Sequence, residues 1–437
     1  IATHRRYEVG TSQRVARLAA MLVLAGIALA VSAGIVSSAG DVGQVVVDAV
    51  GSLLDLATPG PLPGIAVVGT ILIVARLGYL IAAALALDPV EDERPPERVA
   101  AARQALARLG SGSLVPYHGG PMCTAVADAE GRAAMAVAVA GRSVVALGDP
   151  AGDPLAGRRL LEAWRTGCER RDVVPAIYQA SAGLVASLRR AGWHAILVGR
   201  EAIVDPVAFD LRASTVANLR HTVTRSRRGG TQTLWSTDGL AGLGNPSLVE
   251  RLAALDQDWR RRAGPQLGFT VGQFEPLDRT RSAVAVAVNG EGEPLAFAVF
   301  RPTGADGGWM LDIMRRSRSG VPGSVEACVL AAIQGFAAMG VRRLSLGLAP
   351  LAGLDPAVGP PAERLLARAA AVIRPIYDHK GLAFFKNKFA PEWEPRYLVV
   401  VHWWDLPGAL AALVRLHLGG SWPRVVRSVV VGLVPAR

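Results

Sequence analysis

Lysine occurs in this 437-residue chain only as Lys380, Lys386 and Lys388; every other basic side chain is arginine or histidine. An ammonium group is a compact charge whose pKa shifts readily on burial, which a guanidinium does not do. The same stretch, residues 379–401, also concentrates the following aromatic residues and prolines: Phe384, Phe385, Phe389, Pro391, Trp393, Pro395 and Tyr397. Because it ends in the apolar run LVVV, it predicts a site-bearing loop that leads into a buried strand; the alternative is an exposed basic turn.

A second candidate site lies in the segment WMLDIMRR, residues 309–316. A regular strand here places Met310, Asp312 and Met314 on one face, and Arg315 on the other. If the strand ends near Met314, Asp312 and Arg315 both lie at its exit, where they could orient a hydroxyl group and bind a phosphate. The alternative is a structural Asp–Arg ion pair that closes the strand end.

Residues 209–230 form a polar segment with many basic side chains. Its candidates for contact with a phosphate backbone, here predicted as tRNA-binding residues, are Arg220, Arg225, Arg227 and Arg228. A solvated basic helix is the alternative.

The composition favours anionic partners and a membrane. The net charge is +11 and the sequence pI about 10.3, while 51% of the residues are hydrophobic and the mean hydropathy is +0.31. The cysteines Cys123, Cys168 and Cys328 form no CxxC pair, so neither a zinc site nor a disulfide framework is expected. With no Walker loop, HExxH motif or Ser-His-Asp arrangement, the sequence predicts no metal and no cofactor.

Two apolar segments near the N-terminus predict a transmembrane hairpin over residues 18–87. Residues 18–40 are uncharged, and residues 62–87 are interrupted once, by Arg76. Arginines flank the pair while acids occupy the connecting loop, so residues 1–17 and the main domain are both expected in the cytoplasm, beneath the plasma membrane. Arg76 is expected to face a wet cavity or a lipid phosphate, with snorkelling along a tilted helix as the alternative.

The remaining chain predicts an α/β fold in two similar units. After a charged linker at residues 88–98, a first unit with a basic connector spans 99–233, and a second, catalytic unit spans 234–405. Each runs strands, helix, strand, helix, strand, an order that resembles GNAT-type acyltransferases. Residues 406–437 form an amphipathic tail, which either lies on the membrane as interfacial helices or packs on the catalytic domain.

One GNAT feature is missing. GNAT enzymes hold the CoA pyrophosphate with an R/Q-x-x-G-x-G/A loop, but residues 316–323 read RSRSGVPG. The glycine spacing differs and Pro322 removes an amide donor, which disfavours an acyl-CoA donor.

Several motifs together resemble the aminoacyl-phosphatidylglycerol synthases of the MprF family. They are MLDIMRR, GVRRLSLGLAPLAG and GLAFFKNKFAPEWEPRYLVV, preceded by LGDP, IYQ, VGREAIVD and LRHTVTR. The resemblance covers roughly residues 100–420. It implies a tandem GNAT-like domain that transfers an amino acid, lysine or alanine, from aminoacyl-tRNA to the glycerol hydroxyl of phosphatidylglycerol, which makes the lipid more cationic.

The resemblance also implies roles for individual residues. Asp312 and Arg315 are the expected catalytic pair, of which Asp312 would orient the hydroxyl or the donor amine and Arg315 would bind the lipid phosphate. Lys388 and Arg396 would stabilise the oxyanion or hold the tRNA 3′ end. The full set of expected substrate-binding residues is Glu201, Lys386, Lys388, Trp393, Arg396, Tyr397 and Arg76.

Large members of the family carry more transmembrane helices, including a flippase half, whereas this sequence shows a hairpin. A separate flippase or a homo-oligomer is therefore an expected partner, beside aminoacyl-tRNA, phosphatidylglycerol and the anionic membrane. Two alternatives stay open: a GNAT-like aminoacyl- or acyltransferase with a non-lipid acceptor, and a non-catalytic, membrane-tethered protein that binds tRNA or lipid.

Overall fold

The computed structural model describes residues 94–262, 268–274, 281–355, 357–364, 366 and 379–419. The helices are α1 (Pro96–Leu109), α2 (Val115–His118), α3 (Pro154–Arg170), α4 (Ala182–Arg190), α5 (Ala217–Arg228), α6 (Pro246–Arg262), α7 (Ser324–Ala338), α8 (His379–Asn387) and α9 (Leu406–His417). The strands are β1 (Cys123–Ala127), β2 (Ala133–Ala140), β3 (Ser143–Leu147), β4 (Ala151–Gly152), β5 (Val174–Ser181), β6 (His194–Val204), β7 (Gln232–Ser236), β8 (Ala283–Val288), β9 (Pro294–Pro302), β10 (Trp309–Arg316), β11 (Leu344–Pro350) and β12 (Glu392–Val400).

Within these ranges the strands form one 12-stranded sheet in the order β1-β2-β3-β5-β12-β6-β11-β10-β9-β8-β7, with β4 paired to β2. The predicted mixed α/β class is thus confirmed. In the N-terminal half, β3 runs parallel to β5 across helix α3; in the C-terminal half, β10 runs parallel to β11 across helix α7. The other pairings are antiparallel, so both halves repeat one order of elements.

The two halves exchange their last strands. Strand β12, from the C-terminal half, lies between β5 and β6 and pairs antiparallel with both. Strand β6, from the N-terminal half, in turn pairs with β11 of the other half. The sheet therefore runs without a break from one half to the other, and the unit boundary near residue 233 remains a prediction.

Strand β8 shows how the sequence divides the core between the two faces of the sheet. Its sequence AVAVAV is buried throughout, as expected for a central strand. The alanines join the cluster around α7, where the large rings of Phe300 and Phe336 fill the space. The valines join the cluster around α6 with Leu248 and Leu252. Small residues thus face bulky partners on one side, and branched residues face a leucine-rich helix on the other.

Residues 379–401 differ from the predicted loop. Residues 379–387 form helix α8, which places Lys386 in a helix, and the strand begins only at Glu392. The apolar end was predicted correctly, since Leu398, Val399 and Val400 are buried in β12. Two of the aromatic residues that suggested a loop pack together: the ring of Phe385, in α8, lies 5.4 Å from that of Phe389, just after the helix.

The flanking segments are described in part. Helix α1 begins at Pro96, inside the predicted linker, as proline at the first helical position allows. Helix α9 buries Ala409, Ala412 and Leu413 in the core of the N-terminal half, so residues 406–419 pack on the domain, one of the two alternatives for the tail. Residues 420–437, the hairpin at 18–87 and the segment 1–17 lie outside the described residues. Within the described ranges no helix is both long and apolar enough to span a membrane.

The ring cluster around Phe336 should govern the stability of the C-terminal half. Phe336 is fully buried, and its ring centroid lies 5.0 Å from that of Trp235, 5.6 Å from that of Phe300 and 4.9 Å from that of Trp309. We expect Phe336→Ala to lower the free energy of unfolding by roughly 3–5 kcal/mol, measured by chemical denaturation, because it leaves a cavity among rings that cannot collapse. Met339→Ala, at an exposed position at the end of the same helix, should change it by about 0.5 kcal/mol or less.

Candidate active site

Asp312 lies at a β-bulge. The pairing of β10 with β9 shifts register between Leu311 and Ile313, so that the side-chain alternation changes phase at Asp312. Leu311 and Met314 pack in the cluster around α7, while Ile313 joins the cluster around α6. Arg315 also turns towards α6, where it reaches Asp256. The predicted strict alternation, with Met310, Asp312 and Met314 on one face, was therefore wrong beyond Leu311.

The Asp312 carboxylate is held from two sides and is almost inaccessible. The Tyr117 hydroxyl donates to Oδ1 over 2.8 Å, and Arg301 Nε donates to Oδ2 over 3.1 Å. Its side chain is only 3% exposed, and burial raises its pKa despite these two donors. Gly272 closes the contact: a Cβ at this position would lie 2.0 Å from Oδ1, so a larger residue could not pack there.

Arg315 occupies a separate buried ion pair. Its Nε donates to Asp256 Oδ1 over 2.7 Å, and its guanidinium lies 3.9 Å from the centroid of the Trp259 ring, a cation–π contact. Burial lowers the pKa of Arg315, which Asp256 partly offsets. Asp312 and Arg315 are thus neighbours in sequence, each with its own partner, rather than the joint strand-exit pair that the sequence suggested.

A second buried carboxylate, Glu201 on β6, organises the exchanged strands. It is 1% exposed, accepts from the Ser345 hydroxyl of β11 over 2.5 Å, and accepts from Arg396 Nε of β12 over 2.7 Å. Arg396 also donates to Glu394 over 2.8 Å, and the Arg343 guanidinium binds Glu394 through both oxygens at 2.8 and 2.9 Å. These arginines hold the pKa of Glu394 below its usual range. The register of β12 shifts between Arg396 and Tyr397, so Arg396, like Asp312, lies at an irregularity of its strand.

Lys386 reaches the same region from helix α8. Its Nζ donates to the carbonyl oxygens of Gly347 over 2.8 Å and Leu348 over 2.7 Å. These carbonyls are available because β11 departs from regular pairing with β6 between Ser345 and Leu348. The residue is 3% exposed, and burial lowers the pKa of its ammonium to about 7, with Glu201 opposing the shift.

The Tyr117 hydroxyl contacts Asp312 and also experiences the charge of Glu201. Tyr117 is bonded to Asp312, and burial raises its pKa well above 10, with Asp312 and then Glu201 adding to the rise and Arg301 opposing it. Strands β10 and β11 pair only at Trp309–Leu344 and Met310–Ser345, so they separate beside Asp312 and Gly347. The site therefore combines two buried carboxylates, a tyrosine hydroxyl and the Lys386 ammonium, whose pKa is about 7. Such a set suits proton transfer and the stabilisation of developing charge.

The other predicted substrate-binding residues are spread more widely. Lys388 Nζ donates to Glu326 Oε1 over 2.7 Å at the first turn of α7, and lies 5.5 Å from the Phe384 ring centroid. Trp393 Nε1 donates to Asn387 over 3.0 Å. Tyr397 packs on the core of the N-terminal half, against Arg189. Arg76 lies outside the described residues.

The predicted tRNA-binding residues lie on helix α5. Arg225, Arg227 and Arg228 are exposed, in line with contact to a large anionic partner. Arg220 differs, because its Nη1 donates to the carbonyl oxygen of Leu211 over 2.8 Å and so fixes the preceding loop.

Sequence reasoning missed Tyr117, Arg301 and Asp256. Arg301 carried a signal, since it is the charged residue near the end of the apolar strand PLAFAVFRP, directly opposite Met310. Tyr117 carried none, because it sits on the one-turn helix α2 and meets Asp312 across 195 residues of sequence.

Residues 123–400 match the family described as phosphatidylglycerol lysyltransferase, C-terminal. The chain belongs to this family of lipid-directed transferase domains. The resemblance inferred from the motifs is confirmed.

Curated relatives carry consistent names. The chain is 32% identical over 275 residues to the lysylphosphatidylglycerol biosynthesis bifunctional protein LysX of Mycolicibacterium gilvum (strain PYR-GCK), a match that covers 61% of this chain and 24% of that protein. It is 27% identical over 317 residues to the phosphatidylglycerol lysyltransferase of Bacillus subtilis (strain 168), covering 71% and 35%. The chain thus spans about a quarter to a third of the length of these relatives.

Solved structures share the fold. The C-terminal domain of a putative lysylphosphatidylglycerol synthetase from Agrobacterium fabrum superposes with a TM-score of 0.60 at 27% identity, covering 75% of this chain and 98% of that one. L-PGS from Bacillus licheniformis gives a TM-score of 0.62 at 24% identity, covering 76% and 98%.

The buried ammonium of Lys386 predicts a pH-dependent stability. Its pKa falls from 10.5 to about 7 on folding, so between these values the unfolded chain binds more protons than the folded one. The free energy of unfolding should therefore rise with pH across this window, by at most about 1.4 kcal/mol per pH unit from this group. Below about pH 7 Lys386 is protonated in both states, so the full destabilisation from burying its ammonium is present there.

Chemical denaturation between about pH 6.5 and 9.5 measures this slope. Lys386→Met should lose the rise, whereas Lys388→Met, which leaves Lys386 in place, should keep it. Parallel curves for the wild type and Lys386→Met would contradict the assignment.

Proposed function

We propose that this protein transfers an amino acid from aminoacyl-tRNA to the glycerol hydroxyl of phosphatidylglycerol. The observation that carries the proposal is the buried Asp312–Tyr117–Arg301 group, in a chain of the phosphatidylglycerol lysyltransferase family. The names of the relatives favour lysine over alanine as the transferred amino acid.

The reaction exchanges one ester for another. The lipid oxygen forms a bond to the aminoacyl carbonyl carbon, the bond from that carbon to the tRNA ribose oxygen breaks, and a proton passes from the lipid hydroxyl to the ribose oxygen. Because the donor ester is already activated, the chemistry calls for positioning, proton transfer and oxyanion stabilisation.

The hydrogen bonds around Asp312 suggest a role for each of its partners. Tyr117 donates its proton to Asp312, so the tyrosine oxygen keeps lone pairs that can accept a hydrogen bond from the lipid hydroxyl. Arg301 fixes the other carboxylate oxygen, which sets the direction of the Tyr117 bond. Asp312 thus orients the acceptor through Tyr117.

The residues around Glu201 are suited to proton transfer and to the stabilisation of negative charge. Lys386, with a pKa near neutrality, can exchange a proton with the departing ribose oxygen. Arg396 is anchored by Glu201, which favours a fixed positive charge for the oxyanion or the tRNA 3′ end. Arg315, enclosed by Asp256 and Trp259, supports the bulged strand.

Further features of the proposal concern the whole protein. The repeated strand–helix order supports a tandem of GNAT-like units at 99–233 and 234–405, while the RSRSGVPG loop argues for a donor other than acyl-CoA. The apolar segments within residues 18–87 are proposed to hold the catalytic domain on the cytoplasmic side of the plasma membrane, with Arg76 near lipid phosphate. A separate flippase and further copies of this chain are proposed partners beside aminoacyl-tRNA and phosphatidylglycerol.

Transfer of labelled lysine from lysyl-tRNA to phosphatidylglycerol vesicles, followed by lipid extraction, tests this function. Asp312→Asn should lower the rate by about 10²–10⁴-fold, because an amide cannot draw the Tyr117 proton as a carboxylate does. Asp258→Asn, a surface carboxylate on α6, should retain the rate. Label that never runs with the lipid would reject the lipid acceptor, and an Asp312→Asn rate equal to wild type would reject the role of Asp312.

The exposed arginines of α5 predict a salt-dependent affinity for tRNA. Replacing Arg225, Arg227 and Arg228 together by serine should weaken tRNA binding and reduce the slope of log K against log salt by about 2, because fewer counterions are released. Filter binding or fluorescence anisotropy from low to moderate salt measures both quantities.

A matched variant tests whether the effect is local. Replacing Arg98, Arg103 and Arg159, which are exposed on α1 and α3, removes the same charge elsewhere. Equal losses in the two triple variants would show that only net charge matters and would contradict a tRNA site on α5.

A further inference from the structure

One end of the sheet gathers several chain segments of the N-terminal half. Val400 of β12 pairs with His194, the first residue of β6, so the residues after β12 emerge where β6 begins. Ser143 pairs with both Ala140 and Val174, which places the β2–β3 turn and the start of β5 at this end as well. Helices α3 and α4 also finish here, because β5 and β6 follow them directly. We call this surface the basal rim.

Two adjacent tryptophans protrude from the basal rim. Trp403 is 43% exposed and Trp404 is 72% exposed. Among the described residues, Phe384 is the other large aromatic side chain with comparable exposure. Each is oriented by a histidine: the Trp403 and His194 ring centroids lie 4.6 Å apart, and His402 stacks on Trp404 at 4.4 Å. Exposed, pre-oriented indoles are typical of residues that sit at the headgroup level of a bilayer.

Arginines surround these tryptophans. The exposed arginines of the basal rim are Arg142, Arg170, Arg171, Arg189 and Arg190. The exposed acids among them are Glu169 and Asp172, of which Asp172 pairs with Arg142. The rim therefore carries a net positive charge, and it matches an anionic surface that also accepts indole rings.

The chain also joins the domain at this rim. Arg94, just before α1, donates from Nη1 to the carbonyl oxygen of Ala125, in the middle of β1, over 2.7 Å, and from Nη2 to the hydroxyl of Thr124 over 3.1 Å. Arg108, at the end of α1, donates to the Gly131 carbonyl oxygen at the opposite end of β1. Helix α1 thus starts at the basal rim, and in the sequence it follows the apolar run 62–87.

We propose that the basal rim docks on the headgroup layer of an anionic phospholipid bilayer, with Trp403 and Trp404 inserted among the headgroups and the arginines bound to lipid phosphates. This rests on the proposed function and names the surface that holds the domain against the membrane. The catalytic groups lie further along β6 and β12, on the part of the sheet away from the rim.

Site-directed labelling of the full chain in vesicles tests the docking. The native cysteines Cys123, Cys168 and Cys328 are buried, so a thiol-reactive fluorophore reports on an introduced cysteine, with the unsubstituted chain as the blank. Ala191→Cys places the label on the basal rim after α4, and Ala338→Cys places it at the end of α7, next to β11; both alanines are exposed. Strand β6 has 11 residues, so its two ends are roughly 30 Å apart.

The expected result is a difference between the two labels. In vesicles of phosphatidylglycerol and phosphatidylethanolamine, the label at 191 should be shielded from acrylamide about threefold relative to phosphatidylcholine vesicles and quenched by brominated lipid, whereas the label at 338 should not change. Reversing Arg170, Arg171 and Arg190 to glutamate should return position 191 to its accessibility in phosphatidylcholine.

Each contrary outcome has one meaning. Equal acrylamide quenching at 191 in both vesicle types, equal shifts at 191 and 338, or shielding that survives the charge reversal would overturn the docking proposal. Lysyl transfer measured on the same vesicles separates the two claims: transfer without shielding rejects the rim alone, and shielding without transfer rejects the enzymatic function alone.

Discussion

The buried carboxylate of Asp312 must be stabilised by hydrogen-bond donors, and the surrounding structure provides them. A buried charge without partners is costly, so the fold supplies a hydroxyl from the N-terminal half and a guanidinium from the neighbouring strand. Three features bring these groups to Asp312: a bulge in β10, a glycine at position 272, and the segment between α1 and β1 that carries Tyr117. That segment is itself tied to the β9–β10 turn, through Gly112 to Thr303 and Ala305 to Gly110.

Polar site residues coincide with irregular pairing throughout the centre of the sheet. Asp312 lies at the bulge of β10, Lys386 binds carbonyls freed where β11 leaves its register, and Arg396 stands at the register shift of β12. A regular strand would send alternate residues to opposite faces and use its carbonyls in the ladder. Bulges redirect side chains and release backbone acceptors, so the site is built from departures from regular β structure.

The sequence was informative where a periodic pattern or a rare residue type carried the signal. Apolar alternation located the strands, and the isolated lysines indicated a stretch that contributes Lys386 to the candidate site, although Lys386 proved to be helical. The facing of Asp312 could not be predicted, because a bulge leaves no mark in a pattern of alternating residues. Tyr117 and Asp256 were out of reach for another reason: their partners lie 195 and 59 residues away, and nothing local indicates such contacts.

The exchanged strands have a consequence for how the protein acquires activity during its synthesis. Glu201 is made early, but the partner Arg396 that neutralises it is among the last residues of the sheet to leave the ribosome. Until β12 inserts between β5 and β6, the N-terminal half has a gap in its sheet and Glu201 lacks its partner Arg396. The proposed transfer activity should therefore be absent from nascent fragments, because a chain truncated before residue 400 cannot complete the sheet.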